Sequence, residues 1–167
     1  MSAEIIEPCV DDIVARLRDR IGFLSPARGA TCEKVGDAAL FTAFSQIGAP
    51  FAMVQYAGED ALEVENMGAA AVIQQSTMRF QVWCGAKSFS ARGEGTDNLH
   101  GEVGLNTLVD AVWFALSGYL IPSARQTAGS YMRLFHVSTT PPVVEDYRVI
   151  SVITFKSEIV RQQTENA

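Results

Sequence analysis

The sequence predicts an α+β domain: one mostly antiparallel or mixed sheet of four to five strands, flanked by two to three helices. Three observations predict it. Two stretches carry a single apolar stripe at helical spacing, and such stripes need another layer to cover. Three stretches alternate apolar and polar residues with a period of two. The last two of these are joined too closely for a crossover, so they are expected to pair antiparallel. At 167 residues the chain is long enough for one domain with its own core. That domain is expected to span residues 1–167, with a loose tail from about residue 159.

The first helix is expected after Pro8, in "CVDDIVARLRDRIGFL". Val10, Val14, Leu17 and Ile21 fall on one face, with Ile13 beside them. Asp11 and Asp12 suit a first turn, and Asp12 and Arg16 are spaced for an i,i+4 pair. Residues 22–36 read as a loop, with Pro26 and two further glycines inside it. "DAALFTAFSQIG", Asp37 to Gly48, reads as a short helix with Asp37 as its cap and Gly48 as its end. "FAMVQYAG" is apolar on both faces and reads as a short buried strand. "EDALEVENMGAAAVIQQST" follows as an extended hairpin or arm hinged at Gly68.

"STMRFQVWC" is the cleanest strand. Met78, Phe80, Val82 and Cys84 point one way, and Arg79, Gln81 and Trp83 the other. A Gly-rich loop leads from it into "EVGLNTLVDAVWFALSGYL". There Leu105, Leu108, Val109, Val112, Leu116 and Tyr119 keep helical spacing, with Gly118 and Pro122 as stops. "SYMRLFHVS" and "YRVISVITF" are the closing strands, separated by Pro141 and Pro142.

Composition excludes some functions. Hydrophobic residues make up 48% and charged residues 19%, which is globular rather than disordered. No apolar run reaches the roughly 18 residues of a membrane span. The acidic opening "MSAEIIEPCVDD" has no basic start and no apolar core, so a protein that stays in a cytoplasm is expected. The net charge of −6, without a basic block, argues against a general nucleic-acid binder. Cys9, Cys32 and Cys84 are dispersed and read as packing residues rather than a disulfide framework or zinc site.

The segment "CGAKSFSARGEGTDNLHG" has the strand–loop–helix layout of a phosphate site, but not its spacing. "GAKS" lacks the glycine immediately before its Lys that a phosphate loop needs, and "GEGTDN" has Asn98 where a dinucleotide fingerprint needs a third Gly. Glu94, Asp97 and Glu102 would also repel a phosphate. His100 reads as an exposed loop residue and His136 as a core or edge residue of its strand. Glu59, Asp60, Glu63 and Glu65 cluster in the arm; they read as a solvated acidic face, with metal or acid/base chemistry as the alternative. Trp83 and Trp113 read as packing or interface aromatics. No catalytic residue, cofactor or metal site is expected. Arms and long loops on a catalytically bare domain suggest an assembly subunit.

A resemblance sharpens that suggestion. "MRFQVWCGAKSFSARGEGTDNLHGEVGLNTLVDAVWFALSGYLIP" resembles a small family of Mu-like phages and prophages. The likeness is carried by the strand, the Gly- and charge-rich loop, and the Gly-led helix "GLNTLVDAVWFALSG". "DDIVARLRDRI", "GAPFAMVQYAG" and "YRVISVITF" match the family's opening helix, an early strand and its final strand. The family is similar to tail terminator and tail completion proteins. That implies a virion protein of the phage tail, assembled in the host cytoplasm. It would form a ring, usually a hexamer, on the last ring of tail tube protein. There it would stop tube growth and present the surface for the head–tail connector protein. Genomic DNA would pass through the lumen without specific binding. The chain departs from the family pattern in its longer arm and in fewer Arg residues in the loop. The alternatives are a tail completion or head–tail connector subunit one ring away, or a small metal-dependent enzyme. The expected assembly contacts are Leu62, Val64, Met67, Val72 and Ile73 in the arm, and Lys87, Phe89 and Arg92 in the loop.

Overall fold

A computed structural model of the chain describes residues 5–24, 30–35, 50–66, 71–87, 104–124, 133–145 and 148–164; for 61–66, 71–74, 87, 124, 145 and 160–164 it describes the backbone alone. The expected helix at Asp37–Gly48 lies outside these residues.

Helix α1 spans Ile6–Arg20. It starts before the expected point, so Pro8 sits in its first turn, where a missing N–H leaves no hydrogen bond unmade. Cys9, Val10, Ile13, Val14 and Leu17 form its buried stripe. The expected Asp12–Arg16 pair gives way to longer-range contacts. Arg16 Nε donates to the carbonyl of Ala115 at 3.1 Å, and its guanidinium lies 4.8 Å from the centre of the Tyr119 ring. The Asp12 carboxylate instead accepts the Ser123 N–H at 2.7 Å.

Strand β1, Thr31–Lys34, lies inside the segment that reads as a loop. It pairs in parallel with the start of β2, from Thr31 opposite Phe51 to Lys34 opposite Val54. Only Cys32 in it is buried, so no alternation marks it in the sequence. What makes it a strand is the neighbouring edge that its backbone can pair with.

Strands β2, Phe51–Asn66, and β3, Ala71–Lys87, form one long hairpin. The expected extended hairpin is present; it is continuous with the short strand before it and the strand after it, as the far halves of β2 and β3. Bulges fall between Tyr56 and Gly58 and between Ala61 and Glu63. At the first, Gly58 has φ +110, a conformation in which a Cβ is strained; the glycine lets the strand turn and continue where it was expected to stop.

Helix α2 spans Leu105–Leu116 and buries Leu105, Leu108, Val112, Ala115 and Leu116. Gly118 just beyond it has φ +75 and ends it as expected. Strands β4, Phe135–Thr139, and β5, Val143–Glu145, both pair antiparallel with β6, Arg148–Thr164. β4 is shorter than the stretch that alternates. Arg133 makes only an isolated bridge to Leu120, and a bulge between His136 and Ser138 breaks the period. β5 is unexpected. β6 pairs with β3 without interruption from Lys87–Arg148 to Ala71–Thr164, so the backbone from residue 159 to 164 is strand, not a loose tail.

The sheet order is β1-β2-β3-β6-β4, with β5 also on β6: six strands among the described residues, mixed because β1 is parallel to β2. The architecture is α+β, as expected, with one more strand. Ala52, Val54, Met78, Phe80, Val82, Cys84, Val149, Ile153 and Phe155 join the buried residues of both helices in the main core. A smaller cluster of Phe51, Met53 and Ile150, with Val35 and Trp83 against it, lies apart from that core. Here the sheet needs a glycine: a Cβ on Gly85 would stand 2.1 Å from the Phe51 ring.

Candidate assembly surfaces

The two ends of the sheet order differ in what they expose. At β1 the edge is covered by charge. Arg18 Nε donates to the Cys32 carbonyl at 2.8 Å, and its guanidinium lies 3.9 Å from Glu33. Lys34 pairs with Glu7 and, at 3.0 Å, with Asp11. The hydrogen bonds that Lys34 donates to Glu7 and then Asp11 hold its pKa above the usual value. Charged side chains on an edge discourage another strand from pairing there.

The β4–β5 edge carries apolar side chains instead. Phe135, Val137, Val143 and Val144 are 50%, 48%, 60% and 55% exposed. Thr140 fixes the segment between the two strands to β6. Its N–H donates to the Val152 carbonyl at 2.9 Å, its hydroxyl accepts the Val152 N–H at 2.9 Å, and its carbonyl accepts the Ser151 hydroxyl at 2.6 Å. The path from Phe135 to Glu145 therefore follows the outer side of β6, past Pro141 and Pro142. His136 is an exposed edge residue, as one reading of the sequence expects: its Nε2 lies 2.8 Å from the Thr139 hydroxyl and its ring packs edge-on against Phe155.

A second apolar surface lies on α2. Leu105, Leu108 and Val112 turn inward, which leaves Trp113 and Phe114 outward, 40% and 75% exposed. Their rings meet edge to face at 5.2 Å. Trp83, by contrast, is half-buried and donates from Nε1 to Gln55 at 3.2 Å.

Of the expected assembly contacts, Val64, Val72 and Ile73 come together in the far part of the hairpin, where Glu65 pairs with Ile73 and Asn66 with Val72. Leu62 falls at the second bulge. Lys87 is the last residue of β3, which runs past Cys84, the end of the strand expected from the sequence. At strand rise, Val72 and Lys87 stand about 50 Å apart, so the arm and the loop leave opposite ends of β3. Met67, Phe89 and Arg92 lie outside the described residues, as does His100. The sequence reading missed Phe114, Phe135, Val137, Val143 and Val144. The signal was present in part: apolar residues beside a Pro-Pro pair, on a strand with no further partner among the described residues.

The arm acids are engaged as surface groups where their side chains are described. Asp60 pairs with Arg79 at 2.7 Å, and Glu59 accepts the Tyr56 hydroxyl at 3.5 Å. Among the described residues no group of three or more His, Cys, Asp or Glu is arranged to hold a metal ion. The three cysteines are free and buried. Burial pushes the Cys9 and Cys32 thiols up to about 11, and Cys84 higher still, so they stay protonated and inert.

No protein-family model matches this sequence, and no curated protein matches it. A solved structure does. A chain of the "Virion of native gene transfer agent (GTA) particle" has the same fold. The TM-score is 0.55 at 12% identity, covering 96% of this chain and 100% of that one. At that identity the likeness is one of fold.

Proposed function

We propose that this protein is a structural component of a phage-type virion, and specifically a ring-forming tail terminator. The observation that carries the reading is the end-to-end fold likeness to a chain of a gene transfer agent virion, with nearly all of both chains included. The exposed apolar side chains on β4, β5 and α2 support it, because an assembly subunit must leave surface for its neighbours. In this role the chain caps the tail tube, halts its growth and presents the joining surface for the connector. It acts by contact and needs no catalytic group. The net charge of −6 suits a ring around passing DNA, since acidic surface does not hold phosphates.

The test is deletion of the gene from its phage or prophage. Tails of uncontrolled length are expected. Tails of normal length, already joined to heads, overturn the reading. Tails of normal length that fail to join move the protein one ring away, to a connector role. DNA retention by the purified protein at low salt would count against an acidic lumen.

A further inference from the structure

Two of the sheet edges left open among the described residues are different and complementary; the outer side of β6 beyond Lys156 is a third open stretch. One is β4–β5, Phe135 to Glu145. The other belongs to β2: β1 pairs only with Phe51–Val54, so among the described residues no strand covers 55–66 on the side away from β3. Their lengths are similar. Their chemistry is opposed. The β2 stretch holds Glu59, Asp60, Glu63 and Glu65 and no basic residue; Arg79 on β3 pairs with Asp60. The β4 edge has exposed Phe135 and Val137, flanked by exposed Arg133, His136 and, on β6 opposite Phe135, Lys156. Glu145 is the one acid from Arg133 to Glu145.

We propose that the β4–β5 edge of one copy receives the 55–66 edge of β2 from a second copy, so that the sheet continues from subunit to subunit. The proposal rests on the ring reading and specifies its seam. Strand directions allow it. β2 and β6 run one way, and β3, β4 and β5 the other. A neighbour in the same orientation therefore presents β2 antiparallel to β4. The levels also fit a closed structure. Through the registers, Phe135 lies level with Gly58 and Val143 level with Phe51, whereas the free part of β2 extends on to Asn66. Joining the two edges thus staggers each copy along the strands, and closed rings of tilted strands require a stagger. Because the two edges are unlike, the contact is head to tail, the kind that closes rings rather than two-fold pairs. The β1 edge, covered by Arg18 and Lys34, takes no part.

A charge swap tests the seam, read by light scattering and analytical ultracentrifugation over a wide concentration range. One variant is Val137→Glu with Lys156→Glu; the other is Glu63→Lys with Glu65→Lys. Val137 and Lys156 are exposed, so the first is expected to fold normally, which circular dichroism checks. Each variant is expected to weaken assembly on the order of 100-fold. Combining all four changes in one chain is expected to restore most of it. If the Glu63/Glu65 variant assembles like the wild type, or the combined chain is no better than the weaker parent, the seam is wrong while the ring reading stands. A wild-type chain that stays monomeric at millimolar concentration overturns the seam; deletion of the gene still judges the terminator role.

Discussion

The β1 and β4–β5 edges of one sheet solve the same physical problem in opposite ways. Every edge strand shows unpaired N–H and C=O groups to water and risks pairing with another chain. At β1 a helix side chain takes the Cys32 carbonyl, and Glu7, Asp11, Glu33 and Lys34 surround it with paired charge. The β4–β5 edge instead exposes Phe135, Val137, Val143 and Val144. Proximity to α1 is the difference. That helix supplies Arg18, Glu7 and Asp11 to β1, and among the described residues nothing comparable reaches the far side of β6. The β1 edge is covered by charge from its own helix; the β4–β5 edge has no such cover among the described residues, which is what the proposed seam requires.

That contrast can be broken by removing the helix's hold. Leu17 is fully buried in α1, so Leu17→Ala is expected to destabilise the fold by about 3 kcal/mol in urea unfolding and to loosen the β1 edge first. A smaller loss reaching β3 and β6 as early as β1, in hydrogen exchange, would show that the edge does not depend on α1. Arg18→Ala removes the bond to Cys32 and the contact with Glu33. It is expected to cost about 1 kcal/mol and to speed amide exchange in β1.

Acidity provides another way to sharpen it. Cys32 lies beneath the β1 edge, and its thiol is raised from 9.0 to about 11, chiefly by burial. The folded state holds a proton that the unfolded chain gives up, so the contribution is complete below pH 9 and is lost as pH rises from about 9 to 11. Cys32→Ala is expected to flatten that part of the pH–stability curve; an unchanged slope would assign it to the other groups whose pKa is raised, Cys9, Cys84, Tyr119 and Lys34. The smallest effect on stability is expected at the other edge. Phe135→Ser should change unfolding free energy by less than about 0.5 kcal/mol, because half of the side chain is already exposed. A larger loss would make Phe135 a core residue and not part of an open surface.

The sequence made some elements easy to read. The stripes at Val10, Ile13, Val14 and Leu17 and at Leu105, Leu108, Val112 and Leu116 are the buried faces of α1 and α2. Their periods arise from the same burial that forms the helices. The alternation of Val149, Ser151, Ile153 and Phe155 is the helix-facing side of β6, opposite Ala86, Cys84, Val82 and Phe80. The candidate surfaces were less visible. The arm was legible as an extended hairpin but not as the continuation of its flanking strands, because Gly58 looks like a stop and serves as a bulge. The β4–β5 edge was hidden because an exposed apolar strand and a buried one look alike in a sequence.

What the sequence by itself determined is the set of local periods: two helices, the β3 and β6 strands, and the absence of phosphate-loop spacing between Gly85 and Gly101. These depend on side chains a few residues apart, and that information is carried along the chain. Only the tertiary structure decided that Thr31–Lys34 is a strand, that β2 and β3 extend as one hairpin, and that β4 and β5 share the outer side of β6. Those features depend on backbone hydrogen bonds to distant segments. Backbone groups are the same in every residue, so no side-chain pattern announces which edge will be offered to them.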